Sequence, residues 1–217
     1  MRKRTYTPKE ELANTLSHGL GLLLGAIAGY QLLSIAISSN DKWAIISIIA
    51  YLFGMLASYL TSTWYHATSE PNRKATLQKW DHAAIYFHIA GTYAPFTLLA
   101  LRTQGMWGWT ILSIVYIAAI TGTFFSFKKL KEHSYIETIC YVLMGCTILI
   151  ALKPLYDSLV DIQKVDSLYW LIAGGVAYII GAIFYSLTKL KYMHTVFHLF
   201  VLAGSICHII AIYILLK

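Results

Sequence analysis

The sequence predicts an all-α integral membrane protein, a seven-transmembrane helix bundle with a cytoplasmic N-terminus and an extracytoplasmic C-terminus. Three observations carry that expectation. First, 58% of the 217 residues are hydrophobic and 12% are charged, against about 45–50% and about 25% in soluble domains, which excludes a soluble enzyme. Second, the apolar residues gather into runs close to the roughly 20 residues that span a bilayer. Third, the cations are unevenly placed. The excess of 17 Lys and Arg over 10 Asp and Glu would raise nucleic acid as a partner of a soluble chain. Here the cations sit between apolar runs and read as topology signals, so no nucleic acid partner is expected.

In chain order, Thr7, Pro8, Lys9 and Glu10 fit a capping box with Pro at the first helical position, which predicts a short interfacial helix ahead of the first span. Apolar runs follow at about Ser17 to Ser38, Trp43 to Tyr65, Ala83 to Leu101 and Met106 to Phe127. Three more run from about Ile136 to Leu152, Leu168 to Leu187 and His194 to Leu216, the fifth being the shortest. The first run is too long for the apolar core of a signal peptide. Loops are short and no linker or strong repeat interrupts the chain, so residues 1–217 are expected to form one domain. Pro95 lies inside the third run and removes a backbone hydrogen bond; it predicts either a kink that opens a cavity near Asp81 or a local packing bend. The 6 Trp, 16 Tyr and 9 Phe suit interfacial belts and lipid-facing packing.

Orientation follows from Lys and Arg, which favour the cytoplasmic side. The N-terminal segment (Arg2, Lys3, Arg4, Lys9) and the second, fourth and sixth loops (Arg73, Lys74, Lys79; Lys128, Lys129, Lys131; Lys189, Lys191) hold twelve, and Lys42, Arg102, Lys153, Lys164 and Lys217 on the other side make five. A multi-pass protein of the plasma membrane with its N-terminus inside is expected. That orientation excludes a G-protein-coupled receptor, and the seventh run carries no mid-span lysine for a retinal. Cys140, Cys146 and Cys207 lie within apolar runs without C-x-x-C spacing and read as packing residues.

Ionisable residues inside spans are costly and therefore functional candidates. Ser62 and His66, at i and i+4, share a face at the inner end of the second run; Asp81 begins the third; His194 and His198, again i and i+4, begin the seventh. All five fall at one depth. Glu11, Asn14 and His18 add a polar stripe entering the first span at the same end. Two histidines one turn apart plus a third from another helix leave one tetrahedral position of an ion open, as in catalytic zinc sites, and a nearby carboxylate can hold or deprotonate a water. An isolated H-x-x-x-H pair fits headgroup hydrogen bonding equally well; the matching depth of His66 and Asp81 is what favours a metal. No H-E-x-x-H is present, so the zincin mechanism is excluded. His208 is about 15 Å from His198 along a helix, too far to share an ion, and reads as packed or hydrogen-bonded. His88, about 10 Å beyond Asp81, reads as structural or cavity-lining. His82 and His133 read as solvated or interfacial, and no second helix carries the matching pair that haem would need.

The blocks Glu11, Asn14, Ser17-His18-Gly19, then Ser62-Thr63-Trp64-Tyr65-His66, Asp81-His82-Ala83-Ala84-Ile85-Tyr86 with Ala90 to Phe96, and His194-Thr195-Val196-Phe197-His198 with His208 resemble the bacterial hemolysin III family, within the larger progestin and adipoQ receptor family. The resemblance spans nearly the whole chain. It implies a seven-helix fold with the N-terminus inside and a zinc ion near the inner leaflet, held by His66, His194 and His198. It further implies that Asp81 meets the ion through a water and that Ser62 lies beside the site. Relatives in the wider family are linked to hydrolysis of ceramide amide bonds, while the hemolysin III name reflects red-cell lysis. Ahead of Thr7 there is no counterpart of the long cytoplasmic region of the eukaryotic receptors, so hormone signalling is not expected.

Two functions follow as expectations. In the first, a zinc-dependent intramembrane hydrolase acts on a membrane lipid amide or ester, with Asp81 and Ser62 as catalytic groups. In the second, zinc is structural and the protein perturbs the bilayer, forms a pore or senses membrane state. The small residues in the spans serve packing within one bundle or between two, so oligomeric state stays open.

Overall fold

The computed structural model describes residues 6–128, 135–187 and 189–217; Arg2, Lys3, Arg4, Lys129, Lys131 and His133 lie outside them. The described residues form eight α-helices: α1 (Pro8–Ser38), α2 (Lys42–Ala67), α3 (Pro71–Pro95), α4 (Trp107–Phe127), α5 (Tyr135–Gly145), α6 (Leu152–Asp161), α7 (Val165–Ser186) and α8 (Met193–Leu216). A 3-10 turn over Cys146–Ala151 joins α5 and α6 into one span, so seven segments are long and apolar enough to cross a membrane. This is a multi-pass membrane protein.

Local chemistry sets the starts. Thr7 caps α1 reciprocally with Glu10, as the capping box requires. Asp41 accepts from Trp43 N at 2.8 Å, and Glu70 accepts from Asn72 N and Arg73 N at 2.8 and 2.6 Å, satisfying amides that have no partner within the helix. Two expectations need correction. The capping box opens α1 itself, which runs unbroken from Pro8 to Ser38, and among the described residues no separate interfacial helix precedes the span. The fifth span is not the shortest, because it continues past Lys153 to Asp161; Lys153 pairs with Asp157 one turn on, at 2.6 Å on the exposed surface, so the charge that ended the apolar run does not end the helix.

The third span is the centre of the bundle. Its apolar window is 78% buried, against 17–28% for the first, fourth, fifth and sixth spans. Those outer helices expose Leu16, Leu23, Ile117, Ile120, Leu143 and Ile183, a surface that suits lipid. Against α3, helix α2 packs backbone to backbone: a Cβ at Gly54 would lie 2.2 Å from the Phe87 carbonyl oxygen, and one at Gly91 2.7 Å from that of Ala50. Small residues permit such close crossings where lipid supplies little hydrophobic drive between helices.

Backbone groups inside a membrane must be satisfied by protein, and two helix breaks meet that demand through each other. At Pro95, α3 gives way to a π turn (Phe96–Ala100) and a 3-10 turn (Leu101–Thr103). Thr97 Oγ1 donates to the Tyr93 carbonyl at 2.8 Å and Ser158 Oγ, from α6, to that of Ala100 at 2.8 Å. In return the Tyr93 hydroxyl donates to the Met144 and Gly145 carbonyls at 2.8 and 2.7 Å and accepts from Ile148 N at 3.0 Å. These are the groups that the 3-10 turn of the fifth span frees.

Candidate metal centre

The site begins with the cap of α1. Glu10 is buried, its Oε2 closing the capping box and its Oε1 accepting from Tyr192 N at 3.0 Å, the residue that precedes α8. Tyr192 has φ +63°, a left-handed conformation unusual for a side chain of this size. One carboxylate thus ties the start of α1 to the start of α8. The next residues of α1 then face inward at helical spacing. Glu11 Oε2 accepts from His66 Nδ1 at 2.6 Å while its Oε1 pairs with Lys74 Nζ at 3.0 Å. Lys74 also donates to the carbonyls of Tyr65 and Thr68 at the end of α2. Asn14 Oδ1 accepts from Thr195 Oγ1 at 2.6 Å, and the Asn14 carbonyl and Ser17 Oγ both lie within reach of His198 Nδ1, at 3.3 and 3.0 Å. His18 stacks on the His198 ring with centroids 3.5 Å apart.

These contacts aim three rings at one point. His66, His194 and His198 each offer a ring nitrogen, and the three nitrogens lie within 4.8 Å of one another. A carboxylate and a carbonyl can only accept, so His66 and His198 carry their protons on Nδ1 and present Nε2 as a lone pair. His66 Nε2 stands 3.1 Å from His194 Nε2, close to the roughly 3.3 Å between two nitrogens bound to one tetrahedral ion at 2.0–2.1 Å. The donor set fits a metal ion, with the ring-orienting carboxylate and carbonyl that ligating histidines normally have.

Asp81 and Ser62 are buried beside this centre without joining the three-histidine group. They line, with His194 and His198, a cavity of about 410 Å³, within the range of about 300–1,000 Å³ typical of ligand sites. Ser62 Oγ makes no hydrogen bond among the described residues, and the Asp81 carboxyl is within its electrostatic reach. The cavity follows α3 from Asp81 to Phe96, about 22 Å by helical rise. Most of its wall is apolar, including Ile89, Leu152 and Leu168. Leu149, Ile172, Val176 and Ile179 also line it while remaining exposed, so the wall formed by the fifth and sixth spans borders the lipid face. The bend at Pro95 accompanies the cavity, since Tyr93 and Phe96 line its far end.

Other sequence expectations fare differently. His88 is buried and lines the cavity, and His208 is buried with Nε2 donating to the Leu171 carbonyl at 3.2 Å. His82 is half-buried and has a specific partner: its Nδ1 meets Glu137 Oε2 at 2.9 Å, and Glu137 Oε1 accepts from Ser126 Oγ at 2.9 Å. This half-buried bridge joins α3, α4 and α5 and was illegible in sequence, because Glu137 stands alone near a charged loop with no periodic partner. Glu10, Ser17, Lys74 and Thr195 were also missed as supports of the histidines; only the capping box and the i+3, i+7 stripe hinted at an inward face. Cys140, Cys146 and Cys207 are free.

Known proteins match this arrangement along its length. The family model described as "Haemolysin-III related" matches residues 6–209. Hemolysin-3 of Bacillus cereus is 38% identical over 205 residues, covering 94% of this chain and 91% of that protein. A hemolysin-3 homolog of Bacillus subtilis is 39% identical over 200 residues, covering 92% and 91%. The human monocyte to macrophage differentiation factor, a relative in the wider progestin and adipoQ receptor family, is 28% identical over 212 residues, covering 94% and 83%. A bundle of seven membrane-length helices, matched by the family model from the cap of α1 to the last turns of α8, therefore belongs to the haemolysin-III related family.

Proposed function

We propose that this protein is a zinc-dependent hydrolase of a lipid amide or ester, working in the plasma membrane at the cytoplasmic end of the bundle. The observation that carries this reading is the convergence of three ring nitrogens within 4.8 Å beside a lipid-bordering apolar cavity that Asp81 and Ser62 share. His66, His194 and His198 would hold the ion. Zinc with three protein ligands supplies a Lewis acid and lowers the pKa of water to about 7.

The chain's own groups do the rest. The apolar cavity binds the lipid chain and places its carbonyl beside the histidines. Asp81 orients the attacking water, takes its proton and returns it to the leaving amine or alcohol. Ser62 Oγ–H donates to the substrate carbonyl oxygen as charge develops on it. Twelve of the seventeen Lys and Arg fall on the N-terminal side of the spans, which supports a cytoplasmic location for this end. Metal analysis and lipid turnover of the purified protein test the proposal. Wild type is expected to retain zinc and turn lipid over, His194→Ala to lose both, and Asp81→Ala to keep zinc but lose about 10²–10⁴ of the rate; turnover unchanged in both variants overturns it.

The names of the two Bacillus relatives favour a second reading, membrane perturbation with the ion in a structural role. Dye leakage from liposomes that persists in His194→Ala would select it.

A further inference from the structure

Helix α1 carries a polar group on a face that the described bundle leaves uncovered. Gln31 is exposed, and its amide makes no hydrogen bond among the described residues. It stands seven residues before Ser38, the last residue of α1, and so about 10 Å inside the end of the span remote from the three histidines. Side chains lean toward the N-terminus of their helix, which carries the amide deeper into the bilayer and away from water. An unpaired amide in hydrocarbon is costly. Elsewhere in the spans Asn14 is bonded to Thr195 and Gln78 lines the cavity; Gln31 has neither recourse.

The exposed face has a helix-pairing pattern. Leu20, Leu24, Ile27, Gln31, Ser34 and Ser38 are all exposed. They follow one another at spacings of four, three, four, three and four residues, the seven-residue repeat along which two helices pack in a seam. The opposite face of α1 is already occupied: a Cβ at Gly21 would come within 2.4 Å of the Tyr59 ring, and one at Gly29 within 2.8 Å of Leu52, so these glycines serve packing on α2. Beside the seam, a groove of about 270 Å³ between α1 and α8, lined by Gln31, Ile209 and Tyr213, gives a second helix room to approach. A polar residue at one seam position fixes register and oligomeric state in coiled coils, and amides hydrogen-bonded across helices join membrane spans.

We propose that this face of α1 is the interface of a homodimer, in which two copies pack α1 against α1 in parallel and Gln31 bonds to Gln31 of the partner subunit. The occupant follows from symmetry. Copies of one chain cross the membrane in the same orientation, so a two-fold axis along the membrane normal sets each residue opposite itself at one depth. An amide has both donors and an acceptor and is therefore its own complement there, whereas a plain acyl chain offers no polar group at that depth. The inference does not depend on the chemistry at the three histidines.

Energy transfer between donor- and acceptor-labelled protein, followed in liposomes as added lipid dilutes it, measures the dissociation constant of the dimer. Loss of two interhelical amide bonds gives Gln31→Leu about ten-fold weaker association, while Gln31→Asn, which keeps an amide, loses less. Disulfide trapping locates the contact, in a background with Cys140, Cys146 and Cys207 changed to Ser. Ile27→Cys, Gln31→Cys and Ser34→Cys cross-link on oxidation. Ala26→Cys and Ile37→Cys, exposed on the same helix but turned about 100–120° from the seam, do not. A monomer at every dilution, equal trapping at all five positions, or association unchanged in Gln31→Leu overturns the proposal. A lipid hydroxyl or a different protein at Gln31 produces the first of those results.

Discussion

If His66, His194 and His198 hold zinc as proposed, removing Glu11, which is outside that group, should weaken zinc binding. Glu11 Oε2 lies 2.6 Å from His66 Nδ1, the length of a charge-assisted hydrogen bond, and its other oxygen is anchored by Lys74 at 3.0 Å. The same Nδ1 faces Asn14 Nδ2 at 3.5 Å. Thr195 holds Asn14 Oδ1 at 2.6 Å, so the side of Asn14 facing His66 is its NH₂ donor. In Glu11→Ala the imidazole loses its acceptor and keeps a donor, which favours the tautomer with the proton on Nε2 and takes away the lone pair a metal needs. Hydrogen bonds to charged groups are worth roughly 1.5–3 kcal/mol, and outer partners of metal-bound histidines typically account for 10–100-fold in affinity. Glu11 is 21% exposed, which places the expected loss near the middle, about 30-fold. Glu11→Gln keeps an acceptor without the charge and should lose about ten-fold. Competition with a chromogenic zinc chelator on detergent-purified protein measures both. A Kd for Glu11→Ala within two-fold of wild type refutes the tautomer argument, provided His194→Ala abolishes binding in the same assay.

Two further substitutions probe the frame rather than the centre. Gly54→Ala drives a Cβ to 2.2 Å from the Phe87 carbonyl oxygen, so α2 and α3 must separate; overpacking costs about 1–3 kcal/mol or more, and the thermal midpoint should fall, an unchanged midpoint counting against the close crossing. Glu137→Leu leaves His82 and Ser126 without their shared acceptor. It should lower the thermal midpoint by the equivalent of about 1–3 kcal/mol while zinc affinity stays within two-fold of wild type; a large loss of zinc affinity would mean that the bridge supports the metal centre as well.

Much of the architecture was legible because bilayer thickness imposes one length on every span, and length with hydropathy is a property that residues carry singly. All seven spans are found near their expected positions. Errors fell where a charge was taken for an end. Lys153 stopped the fifth run, yet the helix goes on to Asp161, since a lysine at the exposed surface needs only water or Asp157. The start of the first span was misdivided because the capping box was read as opening a separate interfacial helix; Glu10 and Glu11 instead belong to α1, each held by residues from elsewhere in the chain, Tyr192, His66 and Lys74.

From the order of residues alone came the number of spans, the cap of α1, the faces that pair Ser62 with His66 and His194 with His198, and the shared depth of Asp81. These depend on periodicity, which a single helix expresses without neighbours. Convergence is a different kind of fact. That His66, on α2, and two histidines of α8 bring their nitrogens within 4.8 Å depends on how three helices cross, and so on the Glu10 tie from α1 to Tyr192 and the stack of His18 on His198. The breaks belong with it. Pro95 announces a lost hydrogen bond, but the π turn that follows and the 3-10 turn of the fifth span survive in an apolar medium because Ser158 and Tyr93 supply partners from across the bundle. A helix can be read from its own chain because its hydrogen bonds are local; a cavity, a tautomer and a tolerated break are set by contacts between residues that sequence separates by 50 positions or more.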